Sequence, residues 1–238
     1  MRELDVEEEL AGRIAAGALR AGDRLPGERD LSREFGVGRM AIRAALGSLI
    51  RRGLVIRSEN GDAFVSRPKV EHDLRGAVTG FTEQMEQLGL EARAKVLTAM
   101  VLVPPTRVCE ALQMQRGDRA LKLERVRYAS RLALTLEETW LPDALFPELA
   151  GLSLTGSIYT LMRDCYARGP VRAVERLEAV AASAPEAKLL HIPIGAPLML
   201  VERTSYGADD VPVEYARDRH RGDRARFLVE SVTHLPVS

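Results

Sequence analysis

The stretch that decides the fold of the first part of the chain is DRLPGERDLSREFGVGRMAIRAALGSLIRRGLVIRS, residues 23–58. Leu31 and Phe35 stand four residues apart, and apolar residues then recur every three or four positions from Ile42 to Leu49. This spacing predicts two helices, each with one buried face, joined by the Gly-Val-Gly turn at residues 36–38. We therefore predict a helix-turn-helix.

Two arginines lie on the face of the second predicted helix that is opposite its apolar residues. Arg39 and Arg43 are four residues apart, so their side chains project from the same side. Arginine in this arrangement can enter a DNA major groove and contact guanine or phosphate. The pair also fits an ordinary solvated face, because arginine outnumbers lysine 30 to 4 in the whole chain.

The residues that follow the second helix predict a β-hairpin. Two short strand-like runs, residues 55–58 and 63–66, flank Glu-Asn-Gly-Asp at positions 59–62. Asn-Gly between two such runs is a strong hairpin signal. Two helices followed by a hairpin predict a winged helix-turn-helix, which favours DNA binding over a merely solvated face.

The stretch GDRLPGERDLSREFGVGRMAIRAALGSLIRRGLV resembles the N-terminal domain of the GntR superfamily of bacterial transcription regulators, and the resemblance runs from Ile14 to about Val65. It implies a fold that binds duplex DNA. The contacts that it implies fall on Arg29, Gly38, Arg39, Met40, Ala41 and Arg43 of the helices and on Asn60 and Gly61 of the hairpin loop. An alternative for Arg29 is a salt bridge with Glu28 or Asp30.

Several positions differ from the usual pattern of that family. Glycine stands at positions 27 and 38 where serine is usual, and alanine stands at 41 where threonine is usual. Glycine is an acceptable N-cap, so both helices can still begin there. We expect backbone N–H groups at Gly38 to take the place of hydroxyl contacts with phosphate. Acidic Glu59 and Asp62 weaken the contact expected between the wing and DNA.

Length and charge fit two domains with the basic residues concentrated in the first. The chain has 238 residues, more than one winged helix needs. Its formal net charge is zero, yet residues 20–57 hold nine arginines against four acidic residues. The first ten residues do not resemble a signal peptide, and no apolar run could span a membrane, so we expect a cytoplasmic protein. Cys109 and Cys165 are far apart, and no spacing suggests a metal or a cofactor.

Beyond residue 66 the sequence pattern changes. Residues 67–79, which begin with Arg-Pro-Lys, are expected to link a domain at 1–66 to a second one at 80–238. Strands are predicted at 95–103, 121–128, 132–140, 173–181, 197–205, 211–218 and 226–232, and helices at 107–114, 157–166 and 185–191. Short turns join most of these strands. They predict an antiparallel sheet with helices on one side, so the fold class is α+β.

Several motifs of this region, in this order, resemble the UTRA effector domain of the HutC subfamily. They are ALKLERVR from residue 120, LEETWLP from 136, FPEL from 146, GSIY from 156, APLMLVER from 196 and PVEYARDRHRGDR from 212. The resemblance runs from about Gly80 to Phe227 and implies a chorismate-lyase-like fold that binds a small metabolite and dimerises. It implies effector contacts at Thr82, Arg125, Arg127, Glu137, Ser157, Tyr159, Glu214 and His220.

The residues themselves also favour an anion site. Arg125 and Arg127 lie on one face of a predicted strand, about 7 Å apart, so their guanidinium groups can converge on one anion. On a core-facing surface they need an anion or a carboxylate such as Glu137 to balance them. Ser157 precedes a predicted helix whose first N–H groups favour negative charge. In the alternative interpretation the two arginines lie on a solvated face.

The sequence therefore predicts a transcription regulator, a repressor, that binds an inverted-repeat operator as a homodimer and responds to a small anionic metabolite. A phosphorylated sugar is the effector that the resemblance favours. Two alternatives stay open: a non-sugar organic acid as effector, since paired arginines also hold carboxylates, and a chorismate-lyase-like enzyme. No nucleophile with its base and no cofactor loop is recognisable, so we assign no catalytic residue.

Overall fold

The computed structural model describes residues 3–57, 61–66, 69–76, 78–130 and 132–231. The chain divides into two compact units, Met1–Lys69 and Val70–Ser238, and each has a hydrophobic core of its own. Of the helices in the described ranges, none has the length and apolar character needed to cross a membrane.

Within the residues described, the first unit contains three helices and a hairpin. Helices α1 (Glu3–Ala15), α2 (Glu28–Phe35) and α3 (Arg39–Arg51) are followed by strands β1 (Val55–Arg57) and β2 (Ala63–Val65). The two strands pair in antiparallel orientation. The predicted winged helix-turn-helix is confirmed.

One hydrophobic core holds this unit together. The apolar faces predicted for α2 and α3 are buried in it, Leu31 and Leu49 completely. The sequence analysis did not predict helix α1, whose Val6 and Leu10 lie in the same core. Between α2 and α3 the backbone turns at Gly36, whose φ of 66° is left-handed and is adopted by glycine without strain.

The second unit is built on a six-stranded antiparallel sheet. Its strands are β4 (Ala92–Leu102), β5 (Ala120–Ala129), β6 (Leu132–Pro142), β7 (Arg172–Ala181), β8 (Pro197–Tyr206) and β9 (Pro212–Arg221). Their order across the sheet is β4-β5-β6-β9-β8-β7, and each corresponds to a predicted strand. Strands β4 and β7 are therefore the two edges.

A separate small sheet begins the second unit. Strand β3 (Val70–Asp73) pairs in parallel with β10 (Ala225–Leu228). Residues 70–73 belong to the segment expected to be a linker, and they form a strand instead because His72 is buried against Phe227 of β10. The strand expected at 226–232 is thus part of this parallel pair and not of the antiparallel sheet.

Helices cover both faces of the six-stranded sheet, so the prediction of helices on one side was wrong. The α-helices in the described part of this unit are α4 (Phe81–Gln87), α5 (Thr106–Leu112), α6 (Ile158–Tyr166) and α7 (Ala184–Leu190), and a single 3-10 turn lies at Leu149–Gly151. Successive residues of a strand point to opposite faces. On β5, Leu123 packs in the cluster of α6, whereas Val126 packs in the cluster of α7. Each face of the sheet thus carries buried apolar residues, and each needs a cover.

Candidate functional site

The exposed basic part of the first unit is the start of α3. Gly38 is the N-cap in extended backbone conformation, without a side-chain cap, and the helix begins at Arg39. Arg39 and Met40 are exposed, Met40 by 74%, and Ala41 is half-buried. Arg29 on α2 is exposed as well, and within the described residues neither Arg29 nor Arg39 forms an ion pair. These side chains are available for contact with DNA.

Arg43 differs from Arg39 because it already has an acidic partner. Its Nε donates a hydrogen bond to Oε2 of Glu28 at 2.7 Å, and Nη2 of Arg57 donates to Oε1 of the same carboxylate at 3.0 Å. The hydrogen bond from Arg43, with that from Arg57, lowers the pKa of Glu28. Arg43 therefore has to leave Glu28 in order to contact a base or a phosphate.

The wing carries one acidic residue that is neutralised within the unit. Oδ1 of Asp62 lies 2.7 Å from Nη2 of Arg24, and Gly61 beside it has a left-handed φ of 82°. This ion pair reduces the repulsion that the sequence leads us to expect between the wing and DNA. Asn60 and Glu59 lie outside the described residues.

In the second unit, Arg125 and Arg127 lie on the same face of β5 and are buried, with 4% and 2% of their surface exposed. The solvated-face alternative is therefore wrong. Glu137 of β6 is opposite Arg125 in the sheet register and contacts both guanidinium groups, at 2.7 Å from Arg125 Nη2 and 3.3 Å from Arg127 Nη1. Burial would raise the pKa of Glu137, but the charges of Arg125 and Arg127 outweigh it and lower that pKa.

The two arginines differ in how fully their guanidinium nitrogens are hydrogen-bonded. Nη1 of Arg125 donates to two backbone carbonyls of the loop before α6, at 3.0 and 2.9 Å. Nη2 of Arg127 donates to Oγ1 of Thr82 at 2.8 Å, and its guanidinium lies 4.5 Å from the ring centre of Phe81. Nε of Arg127 is buried and has no hydrogen-bond partner among the described residues. Arg127 is thus the less saturated of the two, and burial lowers its pKa.

Helix α6 begins beside this pair and carries two further predicted residues. Ser157 is its N-cap, and the serine Oγ accepts a hydrogen bond from the backbone N–H of Thr160 at 3.2 Å. The hydroxyls of Tyr159 and Ser205 each donate to Oε2 of Glu214 at 2.7 Å. Burial raises the pKa of Tyr159 well above its ordinary value, so its hydroxyl keeps its proton.

Arg203 of β8 is a central cation of this site that the sequence analysis does not single out. It lies 3.4 Å from Glu175, 3.3 Å from Glu214 and 3.2 Å from Asp218, measured between nitrogen and oxygen. Burial alone would lower the pKa of Arg203, but the electrostatic effect of Tyr159 on α6 and of these three acids raises it well above its ordinary value. These acids come from β7 and β9, which flank β8 in the sheet.

Asp218 and His220 face the same side of β9 as Glu214. Burial raises the pKa of Asp218 to about 8, and burial lowers the pKa of His220 well below its ordinary value. Nδ1 of His220 lies 3.0 Å from Oγ1 of Thr135. At neutral pH both residues are therefore uncharged. In the same site Arg125, Arg127 and Arg203 lie within ion-pair distance of Glu137, Glu175 and Glu214, so three basic side chains face three acidic ones.

Two adjoining cavities open among these residues, with Phe81, Glu137 and Arg203 in the walls of both. The smaller has a volume of about 30 Å³, the share of one water molecule in the liquid. It is lined by seven of the eight predicted effector residues, namely Thr82, Arg125, Arg127, Glu137, Ser157, Tyr159 and Glu214. The larger, of about 220 Å³, is lined by the eighth, His220, and by His72, Glu175 and Asp218. The fold thus brings the predicted residues together.

Comparisons with known proteins cover both units. The family described as "Bacterial regulatory proteins, gntR family" matches residues 3–65, and the UTRA domain matches residues 87–226. The HTH-type transcriptional repressor NagR of Bacillus subtilis is 33% identical over 94% of this chain and 91% of its own length. The mannosyl-D-glycerate transport/metabolism system repressor MngR of Escherichia coli is 28% identical over 94% of this chain and 93% of its own.

A solved structure agrees with the fold of each unit. PhnF from Mycobacterium smegmatis is 30% identical, covers 96% of this chain and 100% of its own, and superposes with a TM-score of 0.68. Matches to the DNA-binding domain and the effector domain thus occur together along one chain, in the order found in whole relatives. The chain belongs to the GntR family of bacterial regulatory proteins with a C-terminal UTRA domain, and it is a DNA-binding transcription regulator and not an enzyme.

Proposed function

We propose that this protein is a homodimeric transcriptional repressor whose affinity for an inverted-repeat operator is controlled by a phosphorylated sugar. The observation that carries the proposal is the buried pair Arg125 and Arg127 beside the first turn of α6. Two guanidinium groups and a helix N-terminus all favour an anion. NagR and MngR are both named as repressors, and the name of MngR refers to a mannosyl-D-glycerate system.

The anion has to compete with Glu137 for the two arginines. The smaller cavity beside them has a volume of only about 30 Å³, so a phosphate enters only when Glu137 or α4 moves. Nε of Arg127 is then a ready donor, together with the first N–H groups of α6, which have no partner within a helix. The effector unit would therefore have a closed state and an open state, and the anion would bind the open state more tightly. A ligand can influence a distant site only through such a difference in affinity between two states.

The larger cavity suits the uncharged part of the effector. It adjoins the arginine pair and is lined by neutral His220, by Asp218 with its raised pKa, and by the carboxylate of Glu175. Such groups exchange hydrogen bonds with hydroxyls. Its volume of about 220 Å³ is below the ~300–1,000 Å³ of pockets for drug-sized ligands. A small molecule with an anionic end and a hydroxylated end fits both cavities.

An organic acid is the second candidate effector. Glu137 places its own carboxylate on Nε and Nη2 of Arg125 at 2.9 and 2.7 Å. A ligand carboxylate could take this position without change of geometry, because arginine binds carboxylates and phosphates with the same pair of donors. The effector experiment below therefore includes both classes.

On the DNA side, the proposed contacts are those of the exposed start of α3. Arg39 and Met40 reach the base edges first, Gly38 offers its backbone N–H to phosphate, and Arg43 joins once it leaves Glu28. A dimer that presents two such helices needs half-sites with centres about 34–36 Å apart on the duplex. The operator is therefore an inverted repeat.

For the dimer, the edge strand β7 is the proposed interface. It is ten residues long, with Val174 and Leu177 41% and 40% exposed, and among the residues that the structure describes it pairs with β8 alone. The other edge, β4, has an irregular register near residues 96–98, and such bulges hinder pairing with another strand. A second copy of β7 would satisfy the backbone groups of this open edge.

The charges of β7 select one register for such pairing. If two antiparallel copies pair with Leu177 opposite itself, Arg176 of each copy lies opposite Glu178 of the other, and Val174 lies opposite Val180. Opposite charges across a strand pair stabilise it, and like charges destabilise it. The neighbouring registers would place Arg176 opposite Arg176, or Glu178 opposite Glu178. Only the first arrangement is complementary among these three.

The experiment for the proposed function has two stages. An operator is first selected from random duplex DNA with the full-length protein, and its affinity is measured by fluorescence anisotropy. Glucose 6-phosphate, mannose 6-phosphate, fructose 6-phosphate and glucosamine 6-phosphate are then added, in parallel with citrate and urocanate at matched ionic strength. The unphosphorylated sugars and inorganic phosphate serve as controls.

We expect at least one sugar phosphate to change operator affinity by about 5- to 150-fold. The variant Arg127→Gln should bind the operator as the wild type does and lose this response, because Arg127 lies in the effector unit. A response to organic acids alone would replace the sugar by the second candidate. Failure to select any DNA sequence, or a response to none of the compounds, would overturn the proposal.

A further inference from the structure

His72 is a buried residue that the sequence analysis assigned to a linker. It lies on β3 and is only 4% exposed. Its ring stacks on Phe227 at a centroid distance of 5.1 Å and meets His220 edge-on at 4.5 Å. It also lines the larger cavity, of about 220 Å³, next to Asp218. The first strand of the effector unit thus contributes a polar side chain to the candidate effector site.

The hydrogen bonds around His72 determine which of its nitrogens carries the proton. The amide nitrogen of Gln84 donates to the carbonyl and the hydroxyl of Thr79, at 3.3 and 3.1 Å. The amide oxygen of Gln84 therefore faces Nδ1 of His72, at 2.9 Å, and an oxygen of this kind can only accept. Nδ1 carries the hydrogen. Burial lowers the pKa of His72, so the ring is neutral and Nε2 is a bare acceptor.

Two buried polar atoms of residues that line the larger cavity have no hydrogen-bond partner among the described residues. They are Nε2 of His72 and Oδ1 of Asp218. The other oxygen of Asp218 accepts from Nη2 of Arg203 at 3.2 Å. A buried polar atom without a partner is costly, and a functional role often accounts for it. The first atom accepts a hydrogen and the second, on a carboxyl that is protonated at neutral pH, can donate one.

We propose that His72 contacts the effector by accepting a hydrogen bond from one of its hydroxyls at Nε2, and that this contact carries effector occupancy to β3. The inference rests on the proposed function and extends it to a residue outside the predicted site. A hydroxyl is the group that fits, because it donates to His72 and can accept from Asp218. The uncharged part of the effector is therefore a polyol, oriented with its anionic end toward Arg127.

The position of His72 in the chain explains why this contact matters for DNA binding. His72 stands three residues after Lys69, the last residue of the DNA-binding unit. Strand β3 is held by a four-residue pairing with β10, so its attachment to the effector unit is short. A hydrogen bond between His72 and the effector would hold β3 to the effector unit more firmly, and only when the effector is bound. A ligand shifts an equilibrium by such differential contacts.

The test compares variants of His72 in the full-length protein. His72→Asn places an amide nitrogen near the position of Nδ1, where it can still donate to Gln84, and removes the acceptor at Nε2. His72→Gln places an amide oxygen near the position of Nε2 and restores an acceptor. His191→Asn is a matched control, because His191 is exposed and its left-handed backbone suits asparagine. The probes are the four hexose phosphates named above and inorganic phosphate, in thermal-shift titrations.

We expect His72→Asn to weaken binding of the responsive hexose phosphate about five- to tenfold, the range of one net hydrogen bond. Binding of inorganic phosphate, which has no hydroxylated part, should stay the same. His72→Gln and His191→Asn should bind both probes within about twofold of wild type. At saturating hexose phosphate, His72→Asn should also show a smaller change in operator affinity than wild type.

Four results would overturn the inference. Unchanged hexose phosphate affinity in His72→Asn would show that His72 does not contact the effector, and the proposed function would still stand. Equal losses for hexose phosphate and inorganic phosphate would mean that the substitution only disturbs the fold of the site. A full operator response of His72→Asn at saturation would show that β3 does not carry the signal. If the wild type binds none of the sugar phosphates, the proposed effector class fails, and this inference fails with it.

Discussion

Oε2 of Glu137 lies 2.7 Å from Nη2 of Arg125, and the two side chains are only 10% and 4% exposed. The pair crosses from β6 to β5 at directly opposite positions of the sheet. Removal of one member of a buried ion pair leaves the other charge without compensation, and this is more damaging than the loss of an exposed pair. The effector site and the stability of the second unit therefore depend on the same charges.

Arg125→Ala is accordingly expected to lower the free energy of unfolding by about 3–5 kcal/mol. The matched control is Arg93→Ala on β4, whose ion pair with Glu91 has side chains 64% and 60% exposed. That pair is worth about 1 kcal/mol or less. Urea denaturation of both variants at neutral pH provides the comparison. A loss in Arg125→Ala no larger than that in the control would contradict the buried pair.

The raised pKa of Asp218 predicts a pH dependence of effector binding. Asp218 has a pKa of about 8, so it is neutral at pH 7 and becomes a carboxylate as the pH rises through 8. The new negative charge lies among Glu137, Glu175 and Glu214 and opposes an anionic ligand, and Arg203 compensates it only in part. Affinity for a sugar phosphate should therefore fall between pH 7 and pH 9.

Calorimetry over this range tests the prediction, because a phosphate monoester is already a dianion above its second pKa of about 6. Asp218→Asn cannot ionise and should show a flat profile. The two histidines of the cavity stay neutral throughout, since burial lowers the pKa of each below its ordinary value. An equally steep decline in Asp218→Asn would assign the effect to another group.

The spacing of apolar and charged residues along the chain was sufficient to predict helices, strands and the residues that share a face of one strand. The apolar repeat from Leu31 to Leu49 predicted the two helices of the DNA-binding unit, and strand alternation put Arg125 and Arg127 on one face of β5. Alternation also relates Glu214 to Asp218 on β9, so the second acid could have been found by the same rule. Asp218 was not predicted, because the resemblance implies a ligand contact at Glu214 and not at Asp218.

Contacts that depend on strand order could not be derived in this way. Arg203 meets its acidic partners because β8 lies between β7 and β9, an order that no local pattern contains. His72 lies on a strand of four residues, Val-Glu-His-Asp, which is too short and too polar for a periodic signal. Helix α1 was not predicted either, because acidic residues interrupt the apolar spacing around Val6 and Leu10, and the burial of these two residues depends on their packing against other elements.

On the DNA side, Arg39→Ala and Arg43→Ala should each lower operator affinity by about 1–3 kcal/mol and leave effector binding unchanged. Arg39 is exposed and unpaired within the described residues, so its loss removes a direct contact. Arg43 first has to break its 2.7 Å hydrogen bond with Glu28, which offsets part of its contribution. We therefore expect the larger loss for Arg39→Ala.

Fluorescence anisotropy with the selected operator measures both effects. Arg93→Ala, which removes one exposed arginine from the effector unit, controls for net charge. A decrease in the salt dependence of binding would indicate a phosphate contact, and relaxed sequence preference would indicate a base contact. Wild-type affinity in both α3 variants would exclude this helix as the recognition element.

Charge reversal on β7 tests the proposed dimer. In the register centred on Leu177, Arg176→Glu places two glutamates opposite each other on each side of Leu177, and Glu178→Arg places two arginines there. Each single variant should dissociate at higher protein concentration than wild type, by roughly fivefold or more, because like charges across a strand pair destabilise it.

The double variant Arg176→Glu/Glu178→Arg restores opposite charges and should recover the dimer. Arg176 also lies 3.7 Å from half-buried Glu202, but at this distance, and with the arginine 75% exposed, the pair contributes little. Sedimentation equilibrium measures the dissociation constants, with Arg93→Glu on the opposite edge strand as control. Dissociation of the double variant to the same extent as the singles would exclude this register, and a dimer sensitive only to Arg93→Glu would move the interface to β4.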